Sequence, residues 1–317
     1  MRHTHRHTQK DLVASLEKVG LKFSYLELVQ EGDYLPTDVD WNYKDVPHLN
    51  VVHELVDATI ASIDDETMAS VLMQKAVGLR FPITTFTYDS GNDRQTCFFN
   101  VFFYQLIIES KWEQLGPLRT RVTTRYAIGS APFWQLFAPV VKWVLARNYE
   151  NLMTTDIAMR SRRGELRKWG FTFKGDKAPY SYRATMKLQE ANVIPPAGIA
   201  TPTPPSATLS LRELERDKVI TIGQADHRGL RFQLEDGVVR VFPRMCPHEG
   251  ANLDHSSCKN GQIACPWHAR KFAPLATLAL GKGQKVATSE HFELTLEGDS
   301  LHVVPRTAEG VPAKSSG

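Results

Sequence analysis

Apolar positions along this 317-residue chain recur at two different periods, and the changes of period mark its parts. Residues 11–19 place Leu12, Leu16 and Val19 on one helical face, with Gly20 as the stop. Residues 21–29 read as a strand, followed by the turn-like Glu31-Gly32-Asp33. From residue 48 to about residue 63 apolar side chains recur at three and four, which predicts a helix ending before Asp64-Asp65. Residues 66–77 predict a second, shorter helix. Residues 81–88, 95–110 and 118–128 are rich in β-branched and aromatic side chains and read as strands, with Ser90-Gly91-Asn92-Asp93 as a hairpin turn. Polar and basic residues dominate 119–125, so one face of that strand is expected to be wet. Residues 132–169 return to helical spacing, with Phe133, Leu136, Val140, Val144, Tyr149 and Leu152 on the predicted apolar side. Arg160, Arg162, Arg163 and Arg167 near its end are expected to form a solvated face that complements the helix C-terminus.

The next stretch, NVIPPAGIATPTPP at residues 192–205, carries five prolines and no charge, the composition of a semi-rigid extended linker. Beyond it short strands recur at 218–222, 229–234, 238–243, 290–296 and 302–304, an all-β pattern. The expected organisation is a tail and short helix (1–20), an α+β domain (21–190), the linker (191–208), an all-β domain (209–306) and a frayed tail (307–317).

Composition narrows the classes. Hydrophobic residues make up 42% and charged residues 23%, an ordinary globular balance. A net charge of +3, without interleaved aromatic and basic residues, argues against nucleic acid. The four cysteines give no disulfide framework, which suits a reducing compartment, and a cytoplasmic location is expected. The first ten residues are basic but lack a signal peptide's apolar run, and no run of about eighteen apolar residues predicts a spanning helix. His3, His5 and His7 in that tail read as part of a solvated arm.

Residues 245–272, MCPHEGANLDHSSCKNGQIACPWHARKF, carry the densest chemistry. Cys246-Pro247-His248 and Cys265-Pro266-Trp267-His268 are separated by sixteen residues. Two Cys and two His also suit structural zinc, but zinc modules tend to pair Cys with Cys and His with His. Here each short loop offers one thiolate and one imidazole, as a [2Fe–2S] cluster with two Cys on one iron and two His on the other requires. The stretch resembles the Rieske motif C-x-H-x(15–17)-C-x-x-H, including Pro after each Cys and the aromatic Phe272. Respiratory Rieske proteins carry an additional disulfide-forming Cys in each loop. Those positions are Ala251 and Trp267 here, so the resemblance is to the oxygenase or ferredoxin branch. Cys258 is read as a free thiol without a cluster role. Two departures from the family pattern stand beside the ligands: Ala269 where Gly is usual, and Glu249 where Arg is frequent.

A second constellation lies in the first domain. Outside the tail, the first 226 residues hold only two histidines, His48 and His53, within Asn42-x-x-Asp45-x-x-His48-x-x-x-x-His53. This resembles the N-x-x-D-x-x-H-x-x-x-x-H motif of Rieske non-haem iron oxygenases, whose catalytic domain is a helix-grip fold. The element order over about 170 residues likewise resembles the START/Bet v 1-like (SRPBCC) superfamily, in which a long helix closes an apolar cavity over a curved sheet. The resemblance implies His48 and His53 as two ligands of a mononuclear Fe(II). A carboxylate on the long helix would complete the 2-His-1-carboxylate triad. Asp156 is the only carboxylate between Glu150 and Glu165, which makes it the candidate, with Glu150 in reserve. Asp45 would link an iron ligand to a cluster histidine and carry the electron path. Its alternative reading is an N-cap ahead of Val46-Pro47. Positions five apart lie about 140° around an ideal helix, so joint ligation requires a local distortion.

The resemblance thus implies an oxygenase acting on an apolar small molecule with O₂, fed by an external reductase or ferredoxin and using a [2Fe–2S] cluster and Fe(II). In the family the cluster domain comes first and electrons cross between subunits of a trimer. Here the order is reversed. The alternatives are a START-like ligand-binding domain fused to an electron-transfer Rieske domain without mononuclear iron, and a plain electron-transfer protein.

Overall fold

The computed structural model describes residues 7–53, 56–76, 79–177, 180–186, 192–198 and 203–306. The chain divides into two compact units, one of residues 1–165 and 175–189, the other of residues 166–174 and 190–317.

In the first unit α1 (Gln9–Glu17) precedes strand β1 (Lys22–Gly32), followed by α2 (Pro36–Lys44) and α3 (Val46–Val52). Six strands follow: β2 (Val56–Ile63), β3 (Thr67–Ala76), β4 (Leu79–Gly91), β5 (Arg94–Val101), β6 (Tyr104–Gly116) and β7 (Arg119–Ser130). They form one antiparallel sheet in the order β1-β7-β6-β5-β4-β3-β2. A 3-10 turn at Pro132–Phe137 leads into α4 (Ala138–Lys168). Tyr149 and Met153 of α4 pack on Leu106, Tyr126 and Ile128 of the sheet, the helix-grip arrangement. A single turn, α5 (Tyr182–Thr185), buries Tyr182 against Val46 and Met68.

Several expectations are corrected. The helix expected over 48–63 stops at Val52, and its second half is β2. Val56, Thr59, Ile60 and Ile63 keep helical spacing, but β-branched side chains suit a pleated strand, and pairing along β3 holds the segment at the sheet edge. Residues expected to form a second helix are β3, where pairing to both β2 and β4 overrides the helix propensity of Met, Ala and Leu. The single strand expected over 95–110 is two, β5 and β6, separated at Phe102, whose φ of +52° reverses the chain. The apolar face of the long helix is displaced: Tyr149 is buried, whereas Phe133, Leu136, Val140 and Val144 are exposed. Arg160 and Arg163, expected in solvent, are fully buried. Arg163 pairs with buried Asp38 at 3.0 Å and lies 4.2 Å over the Trp41 ring. Asp45 separates α2 from α3, but its side chain makes no capping bond. His3, His5 and the tail from residue 307 lie outside the described residues.

In the second unit β8 (Thr172–Phe173) pairs with β9 (Val193–Ile194), so the first residues of the expected linker are part of a small hairpin. Then come β10 (Ala207–Ser210), α6 (Leu211–Asp217), β11 (Val219–Ile222), β12 (Leu230–Glu235), β13 (Val238–Pro243), β14 (Cys258–Lys259) and β15 (Gln262–Ala264). β16 (Lys271–Phe272), β17 (Ala276–Ala279), β18 (Val286–Thr288), β19 (Phe292–Glu297) and β20 (Ser300–Pro305) complete it. Two four-stranded sheets, β10-β20-β19-β18 and β11-β12-β13-β17, enclose Leu230, Phe232, Val241, Leu278, Phe292 and Leu294. A third sheet, β14-β15-β16, carries the second of the Cys/His loops.

Candidate metal centres

Two groups of buried Cys, His and Asp side chains converge, one in each unit. In the second unit, one loop leaves β13 and the other joins β15 to β16. The two loops are the same backbone turn. Gly250 N–H donates to Cys246 O and Ala269 N–H to Cys265 O, both at 2.9 Å. Cys246 N–H donates to Ala251 O at 2.8 Å and Cys265 N–H to Arg270 O at 2.7 Å. Both turns close on left-handed residues, Gly250 at φ +84° and Ala269 at φ +54°. A Cβ at Gly250 would collide with Leu166 Cδ1, so glycine is favoured there by conformation and above all by space. Ala269 holds the conformation that the usual glycine would take.

This repetition presents the two thiols and the two imidazoles to one another. Cys246 Sγ lies 2.5 Å from His248 Nδ1, and His248 Nε2 lies 2.8 Å from His268 Nδ1. Cys246, His248 and Cys265 form a buried ligand group, with the Phe272 ring 6.4 Å from the His248 ring. Burial raises the Cys246 thiol well above its ordinary range, while the hydrogen bond from Cys246 lowers Cys265 to about 5. The pairing thus favours the thiolate on Cys265, and the thiolate is the form that binds metal. Cys258 stands apart on β14, its thiol 3.6 Å from Glu235 Oε2.

Asn192, which nothing in the sequence marks, ties down the first loop. Its N–H donates to His248 O at 2.8 Å, and its amide donates to the Glu249 carboxylate oxygens at 3.0 and 3.1 Å. The uncommon Glu249 thereby gains a partner that it would lack as Arg.

In the first unit His48 Nε2, His53 Nε2 and Asp156 Oδ1 form a triangle with sides of 3.2, 3.3 and 3.1 Å. The required distortion is visible: α3 ends at Val52, and His53, at φ −97° and ψ 91°, turns back toward His48. The nitrogens facing away from the triangle fix the tautomers. His48 Nδ1 lies against Asp45 O, which can only accept, so this nitrogen carries the hydrogen. Thr155 Oγ1 donates to Leu152 O at 2.9 Å and accepts from His53 Nδ1 at 3.3 Å. Two imidazole lone pairs and a carboxylate oxygen thus point into one buried space. Such a set repels itself unless a proton or a cation sits among it. Sides near 3.2 Å suit three ligands at right angles, each about 2.2 Å from one ion. Burial opposes charge on both partners, yet the His48 and His53 contacts keep Asp156 far below the usual carboxylate range. Asp156 in turn raises His48 against the effect of burial.

Asp156 is also held from behind. Asn42 Nδ2 lies 3.5 Å from Asp156 Oδ1, and Arg160 Nε, one helical turn on from Asp156, donates to Asn42 Oδ1 at 2.7 Å. Arg160 and Thr155 were beyond sequence reasoning, although a charge spaced i+4 from a candidate ligand was the available signal. Glu150, the reserve ligand, is exposed. Asp45 Oδ2 lies 3.7 Å from His48 Nδ1.

Residues 206–295 match the Rieske [2Fe–2S] domain family, so this part of the chain is an iron–sulfur, electron-transfer domain. That donor set, two thiols and two imidazoles on paired loops, fits the cluster. Among solved structures, the chain is similar to a START superfamily protein from Mycobacterium smegmatis, with 12% identity over 44% of this chain and 97% of that chain and a TM-score of 0.38. A protein from Thermus thermophilus matches with 16% identity over 43% of this chain and 95% of that chain, TM-score 0.37. An aromatase/cyclase from a Streptomyces species matches with 12% identity over 46% of this chain and 96% of that chain, TM-score 0.37. None of the curated proteins matches this chain.

Proposed function

We propose that this chain is a Rieske-type non-haem iron oxygenase, which oxidises an apolar small molecule with O₂. The observation that carries the reading is the triangle of His48, His53 and Asp156, whose lone pairs converge with both outward Nδ1 atoms occupied. Fe(II) held there would supply O₂ activation, and the [2Fe–2S] cluster would supply electrons one at a time. For a hydroxylation, one C–H bond and one O₂ become C–OH and water at the cost of two electrons and two protons. An external reductase or ferredoxin would provide those electrons.

The residues of the chain have separable tasks. Cys246, His248, Cys265 and His268 would hold the cluster, and Asn192 keeps the first loop closed. The Asp45 carbonyl and Thr155 hydroxyl engage the Nδ1 atoms of His48 and His53 and so aim each Nε2 into the triangle. Arg160, acting through Asn42, orients the Asp156 carboxylate. The Asp45 carboxylate beside His48 would couple this ligand to the electron path. Apolar side chains between α4 and the sheet would receive the substrate.

The deciding experiment is iron and acid-labile sulfide per chain after anaerobic reconstitution. Three irons with two sulfides are expected, falling to two irons in a His48→Ala/His53→Ala variant whose cluster spectrum is unchanged. Two irons in the unaltered protein would sink the oxygenase reading. A ligand-binding domain fused to an electron-transfer domain would take its place.

A further inference from the structure

The stripe that the sequence marks as the apolar side of the long helix keeps its periodicity but faces outward at its start. Phe133, Leu136, Val140 and Trp143 are 64%, 73%, 60% and 63% exposed. Beside them the turn between β5 and β6 presents Phe102 at 78% and Phe103 at 61%. These are not scattered side chains. Phe103 stacks on Trp134 with ring centroids 4.1 Å apart and planes 6° from parallel, and Trp134 in turn meets Phe133 at 5.3 Å. The patch is also pinned from beneath. Tyr104 Oη donates to Trp134 O at 2.7 Å, and the Gln135 amide donates to Lys22 O at 2.7 Å and Ile128 O at 3.0 Å. A monomer seldom displays so many adjacent large apolar side chains on a fixed surface without a partner for them.

Charge selects the partner. Residues 95–108 carry no charge, and residues 117–149 contain five basic residues and no acidic one. Arg119 and Arg121 are engaged by Glu31. Arg125 lies over the Tyr25 ring, and Lys142 and Arg147 remain, on the same helix as Val140 and Trp143. A second copy of this face would bring no acidic residue from 117–149 to meet these cations. A surface of anionic lipid accommodates both features, aromatic rings at the headgroup boundary and cations at the phosphates.

We propose that this face docks the protein on an anionic membrane surface, with Phe133 and Trp143 entering the interface and Lys142 and Arg147 meeting lipid phosphates. No helix among the described residues is long and apolar enough to cross a membrane, so the contact is peripheral. The proposal is independent of the oxygenase reading.

The test uses the cluster-loaded full chain and vesicles of phosphatidylcholine, alone or mixed with phosphatidylglycerol. Mixed vesicles should sediment the protein, shift its tryptophan fluorescence to the blue, and release it as salt rises. Phe133→Ser/Trp143→Ser should lower partitioning about a hundredfold or more. Lys142→Gln/Arg147→Gln should lower it about thirtyfold on mixed vesicles and not on phosphatidylcholine alone. All four positions bear side chains at the surface, and an unchanged cluster absorption and circular dichroism will verify the fold. Absence of binding at low salt, or binding by both variants equal to that of the unaltered protein, would overturn the proposal. So would an oligomer, seen by light scattering, that the Phe133→Ser/Trp143→Ser variant dissolves, since a second copy would then cover the patch.

Discussion

Gly250 and Ala269 occupy equivalent places in the two cluster loops, yet substitution should act on them in opposite directions. Ala269→Gly relieves a left-handed alanine and is expected to stabilise the second unit by about 0.5–1 kcal/mol. Gly250→Ala adds the same strain and drives a methyl group into Leu166, for a loss of about 2 kcal/mol or more. Denaturant titrations followed at the visible absorption of the cluster will read both, and equal effects would refute the shared-turn argument. At the other centre, Thr155→Val removes the acceptor of His53 Nδ1 without touching a ligand atom. Iron affinity of metal-stripped protein should fall about 10–100-fold. Unchanged affinity would deny Thr155 a part in orienting the ring. The side chains that converge in each unit were legible in the sequence because spacing survives folding. Their supports were not, because Asn192, Thr155 and Arg160 act through contacts that only the folded backbone creates.

Among the elements, the sheet of the first unit and the helix α4 packed on it share an alkaline pH signature. Burial raises the phenols of Tyr126 and Tyr149 and pushes the Cys97 thiol up to about 11. A group whose folded pKa is raised stabilises the fold below its unfolded pKa and loses that contribution as pH climbs toward the folded value. Alkaline destabilisation should therefore begin near pH 9, as unfolded thiols ionise, and steepen above about pH 10. Melting curves by near-ultraviolet circular dichroism will show it, and Cys97→Ala should flatten the portion between pH 9 and 11. A flat wild-type profile would contradict the burial of these groups. The element order of this unit was only partly readable. β4 and β7 announced themselves through β-branched and aromatic residues, but β3 is made of good helix formers and is held by its two neighbours in the ladder. Helical periodicity in residues 132–152 was real, and what it could not disclose was which way the stripe faces. Arginines resemble solvent-exposed residues until Asp38, Trp41 and Asn42 come to meet them.

On the scale of the whole molecule, each unit has its own core and its own group of candidate metal ligands, so under the proposed function their stabilities should respond to different ligands. Iron(II) added to cluster-loaded, His48/His53-vacant protein should raise the transition of the first unit alone, by about 2.7 kcal/mol at one hundred times the dissociation constant. Calorimetry beside cluster bleaching will separate the two transitions, and an equal rise of both would mean that iron binds elsewhere. The proline-rich stretch invites a different experiment, cutting the chain there to obtain the cluster domain alone. The structure argues against it. Leu166, Phe171 and Phe173, from the end of α4 and the hairpin after it, pack with Met245 directly before the first cluster cysteine. A fragment beginning at the linker would leave that methionine and the neighbouring turn bare to water and oxygen. The two halves are thus no interchangeable cassettes: the gene segment ahead of the linker encodes part of the shelter for the iron–sulfur centre behind it.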